Sequence, residues 1–208
     1  RRVMDMDGIL LDTVGMESVE PVGESFFNVK LRGGKTGLLG KDGWEVLPNL
    51  DLEKIFPGNE NLYSAIFEGK YGVVDPSGNW VIEPTFEEIA MFNEGIAVFK
   101  EGNQFGLLDA SGKILQSPSW KKIMPFQNGT TILTSDDKKF LIDTNGSILT
   151  IVGFDELFRL EEGGFLVENE GEIGLINKAG EELIPSQFEL IQKENEDYVL
   201  VKKDGLSG

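Results

Sequence analysis

The sequence predicts an all-β protein built as a tandem repeat of three-stranded antiparallel meanders. Three observations carry that prediction. A glycine closing a short turn recurs at Gly8, Gly43, Gly78, Gly112, Gly146 and Gly180, in steps of 35, 35, 34, 34 and 34 residues. Apolar pairs before the turn keep the same step: Leu38-Leu39, Val73-Val74, Leu107-Leu108, Leu141-Ile142 and Leu175-Ile176. No segment longer than about ten residues carries helical periodicity. A fixed period of this length is the signature of a repeat architecture, in which each unit buries its apolar face against a neighbour.

Within one copy the elements follow in order. Ile96 to Lys100 reads as a first strand, Phe105 to Asp109 as a second and Lys113 to Gln116 as a third. Glu101-Gly102-Asn103 and Ala110-Ser111-Gly112 separate them, and short glycine-containing connections between such runs signal hairpins. Pro48, Pro84, Pro118 and Pro185 are placed just after the third strand, where a missing N–H costs a sheet least. The link to the next copy carries Phe86, Trp120, Phe154 or Phe188 and then Ile55, Ile89, Ile123, Leu157 or Ile191, which one small sheet cannot bury alone. These are core candidates, Trp120 among them.

Six copies fill residues 1–208 with no linker or low-complexity segment, so the chain is read as a single repeat domain. Val3-Met4-Asp5 matches a second strand and Tyr198 to Lys202 a first strand. Pairing of the two would complete a sixth unit and remove free edges. A propeller-like closed ring is therefore favoured over an open β-solenoid array.

Composition removes much of enzyme chemistry. The 208 residues include no Cys and no His, which excludes Cys nucleophiles, Cys/His zinc sites, haem ligation by His and Ser-His-Asp triads. The 36 acidic residues against 19 basic give a net charge of −17, which repels phosphate backbones and anionic bilayers. Nucleic acid and direct membrane insertion are not expected. No signal-peptide pattern opens the sequence.

The recurring acids have a structural reading. Asp5, Asp75, Asp109 and Asp143 share one turn position, held elsewhere by Gly40 and Asn177, and an Asx-type turn closed by glycine accounts for them better than a ring of cation ligands. Asp5-Met6-Asp7-Gly8 begins like a calcium loop, yet its twelfth position is Met16 and no bidentate Glu follows in register. The glycines fit neither phosphate-loop fingerprint. The acidic runs Glu87-Glu88, Glu161-Glu162, Glu168 to Glu172 and Glu194 to Asp197 read as a solvated face that keeps the array soluble. Trp44 and Trp80 lie in third strands where other copies hold Ile114, Ile148 and Glu182, so they are the candidates for surface recognition. No copy departs from the pattern in a way that would mark an active site.

Tyr71-Gly72-Val73-Val74-Asp75-Pro76-Ser77-Gly78 and Phe105-Gly106-Leu107-Leu108-Asp109-Ala110-Ser111-Gly112, each followed by a strand, Pro, an aromatic, an Ile three residues on (after Glu87-Glu88 in the first, Lys121-Lys122 in the second) and Phe-x-x-Gly, resemble the bacterial WG (Trp-Gly) repeat family. The signature dipeptide itself is absent: Thr36, Tyr71, Phe105, Lys139 and Ile173 hold the Trp position, and Phe140 replaces the glycine in the fifth copy. The resemblance implies a non-catalytic β-rich binding or scaffolding array, part of a larger bacterial protein, with the periplasm or cell surface favoured over the cytoplasm. It carries over no catalytic residue, metal site or cofactor. The partner expected is another protein, with a basic surface to meet the acidic chain. The alternative is a lectin-like module using Trp44 and Trp80. A glycosidase-like enzyme, with two of the many carboxylates paired, is the third reading.

Overall fold

The computed structural model describes residues 3–4, 10–11, 15–160, 163–193, 199–203 and 206–207. Strands are the only extended regular elements among them, and every pairing is antiparallel between strands consecutive in sequence. Gly8, the stretch from Asp5 to Gly8, Tyr198 and the acidic runs at 161–162 and 194–197 lie outside the described residues.

The chain divides into two compact units, Arg1–Pro118 and Ser119–Gly208. In the first, β1 (Val3–Met4) pairs β2 (Leu10–Leu11). Three four-stranded meanders follow. The first is β3 (Met16–Val22), β4 (Phe26–Leu31), β5 (Thr36–Gly40) and β6 (Gly43–Leu50). The second is β7 (Lys54–Ile55), β8 (Tyr63–Phe67), β9 (Lys70–Val74) and β10 (Trp80–Phe86). The third is β11 (Glu88–Ile89), β12 (Ile96–Glu101), β13 (Gln104–Asp109) and β14 (Ile114–Trp120), the division between units falling inside β14.

The second unit holds β15 (Lys122–Ile123), β16 (Thr130–Ser135) and β17 (Lys138–Asp143) in a three-stranded sheet. A four-stranded sheet of β18 (Glu156–Arg159), β19 (Phe165–Asn169), β20 (Glu172–Ile176) and β21 (Glu182–Phe188) comes next. β22 (Leu190–Lys193), β23 (Val199–Lys203) and β24 (Leu206–Ser207) complete the order.

Two expectations are refined. The meanders gain a further short strand (β7, β11, β15 and β18) from the part of each link that carries Ile55, Ile89, Ile123 or Leu157. Two residues, the length of β7, β11 and β15, are too few to show alternation, so there this strand has no periodic signal of its own. The prolines lie within the outer strands β6, β10, β14 and β21 rather than after them. These strands are sheet edges, and in β6, β10 and β21 the register shifts along the pairing. Edges and bulges are where a sheet tolerates a missing N–H. Among the described residues no sheet joins strands from the two ends of the chain.

The core sits between consecutive sheets, as the aromatic and aliphatic link residues require. Leu38 and Val46 of the first meander pack with Leu52, Ile55, Tyr63, Ala65 and Val74. Val73 and Ile82 of the second pack with Ile89, Phe92, Ala97, Phe99 and Leu108. In the second unit Leu141 packs with Leu157, Phe165, Val167 and Ile176. Trp120 is 7% exposed, its ring edge-on to Phe140 at 5.7 Å between centroids.

Candidate interaction surface

Most of the recurring polar residues are engaged in holding the array together. Asp75 Oδ1 accepts from the Asn79 N–H at 2.9 Å, Asp109 Oδ1 from Ser111 and Lys113 at 2.9 and 3.0 Å, and Asp143 Oδ1 from Asn145 and Ser147 at 2.9 and 2.8 Å. Asn177 does the same for Ala179 and Glu181. These are the Asx turns the spacing predicts, and the closing glycine N–H completes each one on the backbone carbonyl of the Asp or Asn. The hydroxyl of Ser111 and two backbone N–H groups hold the Asp109 carboxyl below the usual carboxylate range.

Part of the acidic surface has a second structural use. The Gly69 N–H donates to Glu53 at 2.9 Å, the Gly102 N–H to Glu87 at 2.8 Å and the Glu170 N–H to Asp155 at 2.7 Å. Each acid precedes the short strand of its sheet and caps the tight hairpin next to it. Glu68-Gly69 and Glu170-Gly171, all at positive φ, are the two-residue loops closed by Phe67↔Lys70 and Asn169↔Glu172, as a type I′ turn requires. In the fifth copy the chemistry is reversed, with Lys121 paired to Asp136 of the hairpin at 3.0 Å. Glu87, read from sequence as part of a solvated face, is one of these caps.

Neighbouring sheets of the first unit are also clamped by side chains. Buried Asn28 donates to the Ile55 carbonyl at 2.9 Å and accepts from the Ile55 N–H at 2.7 Å, and Ser64 donates to the Ile89 carbonyl at 3.2 Å. In the second unit Arg159 donates to the Thr130 hydroxyl and carbonyl at 3.0 and 2.9 Å, its guanidinium 4.7 Å from the Phe165 ring centroid. Asn28 and Ser64 sit in apolar strands and show no motif; only their polarity at an inward position marks them.

The outer strands remain as the surface that varies between copies. Trp44 is the second residue of β6 and is 38% exposed, whereas Trp80 starts β10, is half-buried and packs against the core shared by the first two meanders. Each indole lies over a glycine of the adjacent strand. A Cβ on Gly37 would stand 2.7 Å from the Trp44 ring, and one on Gly72 would stand 2.6 Å from both the Trp80 ring and the Ile82 carbonyl oxygen. The glycine before each apolar pair is therefore what lets the outer strand cross so closely.

The fifth copy departs from the others at this point. Phe140 fills the glycine position, and the segment after Asp143 makes only single bridges to β17, at Ile142↔Ile148 and Lys139↔Phe154. The Thr150 hydroxyl accepts from the Leu141 N–H at 3.3 Å where a strand would present a carbonyl. Gly153 makes room for the displaced ring, since a Cβ there would lie 2.6 Å from Phe140 Cζ. Ile148, Ile151 and Val152 are left exposed. The sequence signal for this was Phe140 in a glycine column, paired with Gly153 where other copies hold Thr85 and Ser119.

A model described as the WG containing repeat matches residues 71–104 and 173–206. The matches start 102 residues apart (71 to 173), three steps of 34, in phase with the period. No curated protein matches the chain in sequence. Among solved structures the chain is similar to the WD40 β-propeller domain of Doa1, with 18% identity over 90% of this chain and 75% of that one and a TM-score of 0.34. It is similar to BamB from Moraxella catarrhalis at 12% identity over 88% and 69%, TM-score 0.37, and to Kluyveromyces lactis Hsv2 at 8% over 93% and 79%, TM-score 0.41. All three superpositions fall below a TM-score of 0.5, and nothing about function follows from them.

Proposed function

We propose that this chain is a non-catalytic protein-binding or scaffolding module, made of six WG-type copies and belonging to a larger bacterial protein. One observation carries the reading. The polar groups that recur with the period are consumed by Asx turns, hairpin caps and inter-sheet clamps, so the chemistry that differs between copies lies on the outer strands and their loops. Repeat surfaces of this kind are extended and tolerate loop variation. The net charge of −17 favours a partner with a basic surface. The resemblance to WG repeats supports a bacterial setting, with the periplasm or cell surface ahead of the cytoplasm.

The exposed indole of Trp44 keeps a glycan-binding reading alongside this one. Co-purification with the intact chain as bait separates the two. The protein-binding reading predicts a defined protein whose retention falls as ionic strength rises. Retention of no protein, together with a Trp fluorescence change on adding oligosaccharides that is lost in Trp44→Ala, overturns it in favour of the lectin-like alternative.

A further inference from the structure

Ile148, Leu149 and Thr150 tie the segment after Asp143 to β17, but the aliphatic side chains that follow them face solvent. Ile151 is 101% exposed, Val152 58% and Ile148 46%. Full exposure means that Ile151 makes no contact that would keep it aliphatic for stability. The positions that match Ile151-Val152 in the third and fourth copies are Glu83-Pro84 and Ser117-Pro118. Scattered exposed apolar residues are ordinary, but adjacent aliphatics at positions that are polar or proline in sister copies are not. With Phe140 in the glycine column and Gly153 where other copies hold a larger residue, the strand pairing is lost after Thr150 and Ile151-Val152 are presented to solvent.

The surroundings are acidic. Leu149 lies against Gly180, where a Cβ would stand 2.4 Å from the Leu149 carbonyl oxygen, so the turn bearing exposed Glu181 and Glu182 is seated beside the segment. Lys138 pairs with Asp155 at 2.5 Å and Lys139 with Glu156 at 2.7 Å, while the Gly180 turn also carries one exposed cation, Lys178. Residues 119–208 carry 17 acidic against 9 basic side chains. We propose that Ile148, Ile151 and Val152 form a docking knob for a segment of a partner protein in which aliphatic side chains are flanked by Lys and Arg. The inference rests on the protein-binding reading and gives it a location.

The test selects short random peptides on phage against the full chain at physiological ionic strength. It then measures the enriched peptides by fluorescence anisotropy against wild type, I151D/V152D and V81D, the last altering an exposed apolar residue of β10. The knob predicts peptides with aliphatics flanked by Lys and Arg that lose roughly tenfold or more in affinity for I151D/V152D and none for V81D. Added negative charge alone would tighten the binding of a cationic peptide, so a loss reports the apolar contact. Circular dichroism should show I151D/V152D folded as wild type. Equal or tighter binding by I151D/V152D overturns the knob. Loss of binding in V81D alone overturns it too, while leaving a protein-binding module; a failure to enrich any peptide overturns both.

Discussion

Asn28 does with a side chain what a strand does with its backbone, closing both hydrogen bonds of Ile55 from the neighbouring sheet. Asn28→Leu keeps the volume and leaves a buried N–H and C=O unpaired, so it should cost about 2 kcal/mol or more, read as a lower urea midpoint at unchanged m-value. Asp155 belongs to the same scale. A hydrogen bond from Lys138, then one from the Glu170 N–H, hold its carboxyl below the ordinary carboxylate value. A depressed folded pKa gives stability that is present above the unfolded value, about 3.9, and is lost as pH falls through the folded one. Asp155→Asn should therefore lower the thermal midpoint at neutral pH, and the gap to wild type should close as the pH falls below about 4, which flattens the variant's own fall on acidification. Neither role can be read from sequence: an Asn in an apolar strand and an Asp among many acids look the same whether they clamp, cap or face water.

At the scale of the element, the outer strand depends on the glycine beneath it. Phe140 already shows what a large side chain does in that column, so Gly72→Phe should detach β10. Hydrogen exchange across 80–86 should accelerate, Trp80 emission should shift to the red, and stability should drop by about 1–3 kcal/mol. Unchanged protection of 80–86 would mean that the fifth copy lost its strand for another reason. The meanders, their turns and the buried aliphatic column were legible in the sequence because each repeats at a fixed step. The short strand β11 was not, because Glu88-Ile89 offers no alternation, and prolines inside β10 and β14 read as strand ends. Trp44 and Trp80 are legible as surface candidates because other copies hold unlike residues, Ile114, Ile148 and Glu182, at the matching positions. Ile151 and Val152 are not, since an aliphatic pair in a β-rich chain signals burial until a fold shows what displaced it.

For the whole molecule, two properties follow from stacking. The ring expected from the phase of the two chain ends predicts a radius of gyration of about 17 Å in solution scattering, and an open array predicts a clearly larger one. The more direct consequence concerns where the core lies. Ile55 is fully buried, belongs to β7, and packs against Leu38 and Val46 of the preceding meander. Truncating it opens a cavity between sheets, at a cost of about 2–5 kcal/mol. Hydrogen exchange with mass spectrometry on Ile55→Ala, in the full chain, is the decisive measurement. A stacked array predicts faster exchange in strands of both meanders, 26–50 as well as 63–86. Loss of protection confined to 54–86 would contradict it, because each sheet would then carry a core of its own.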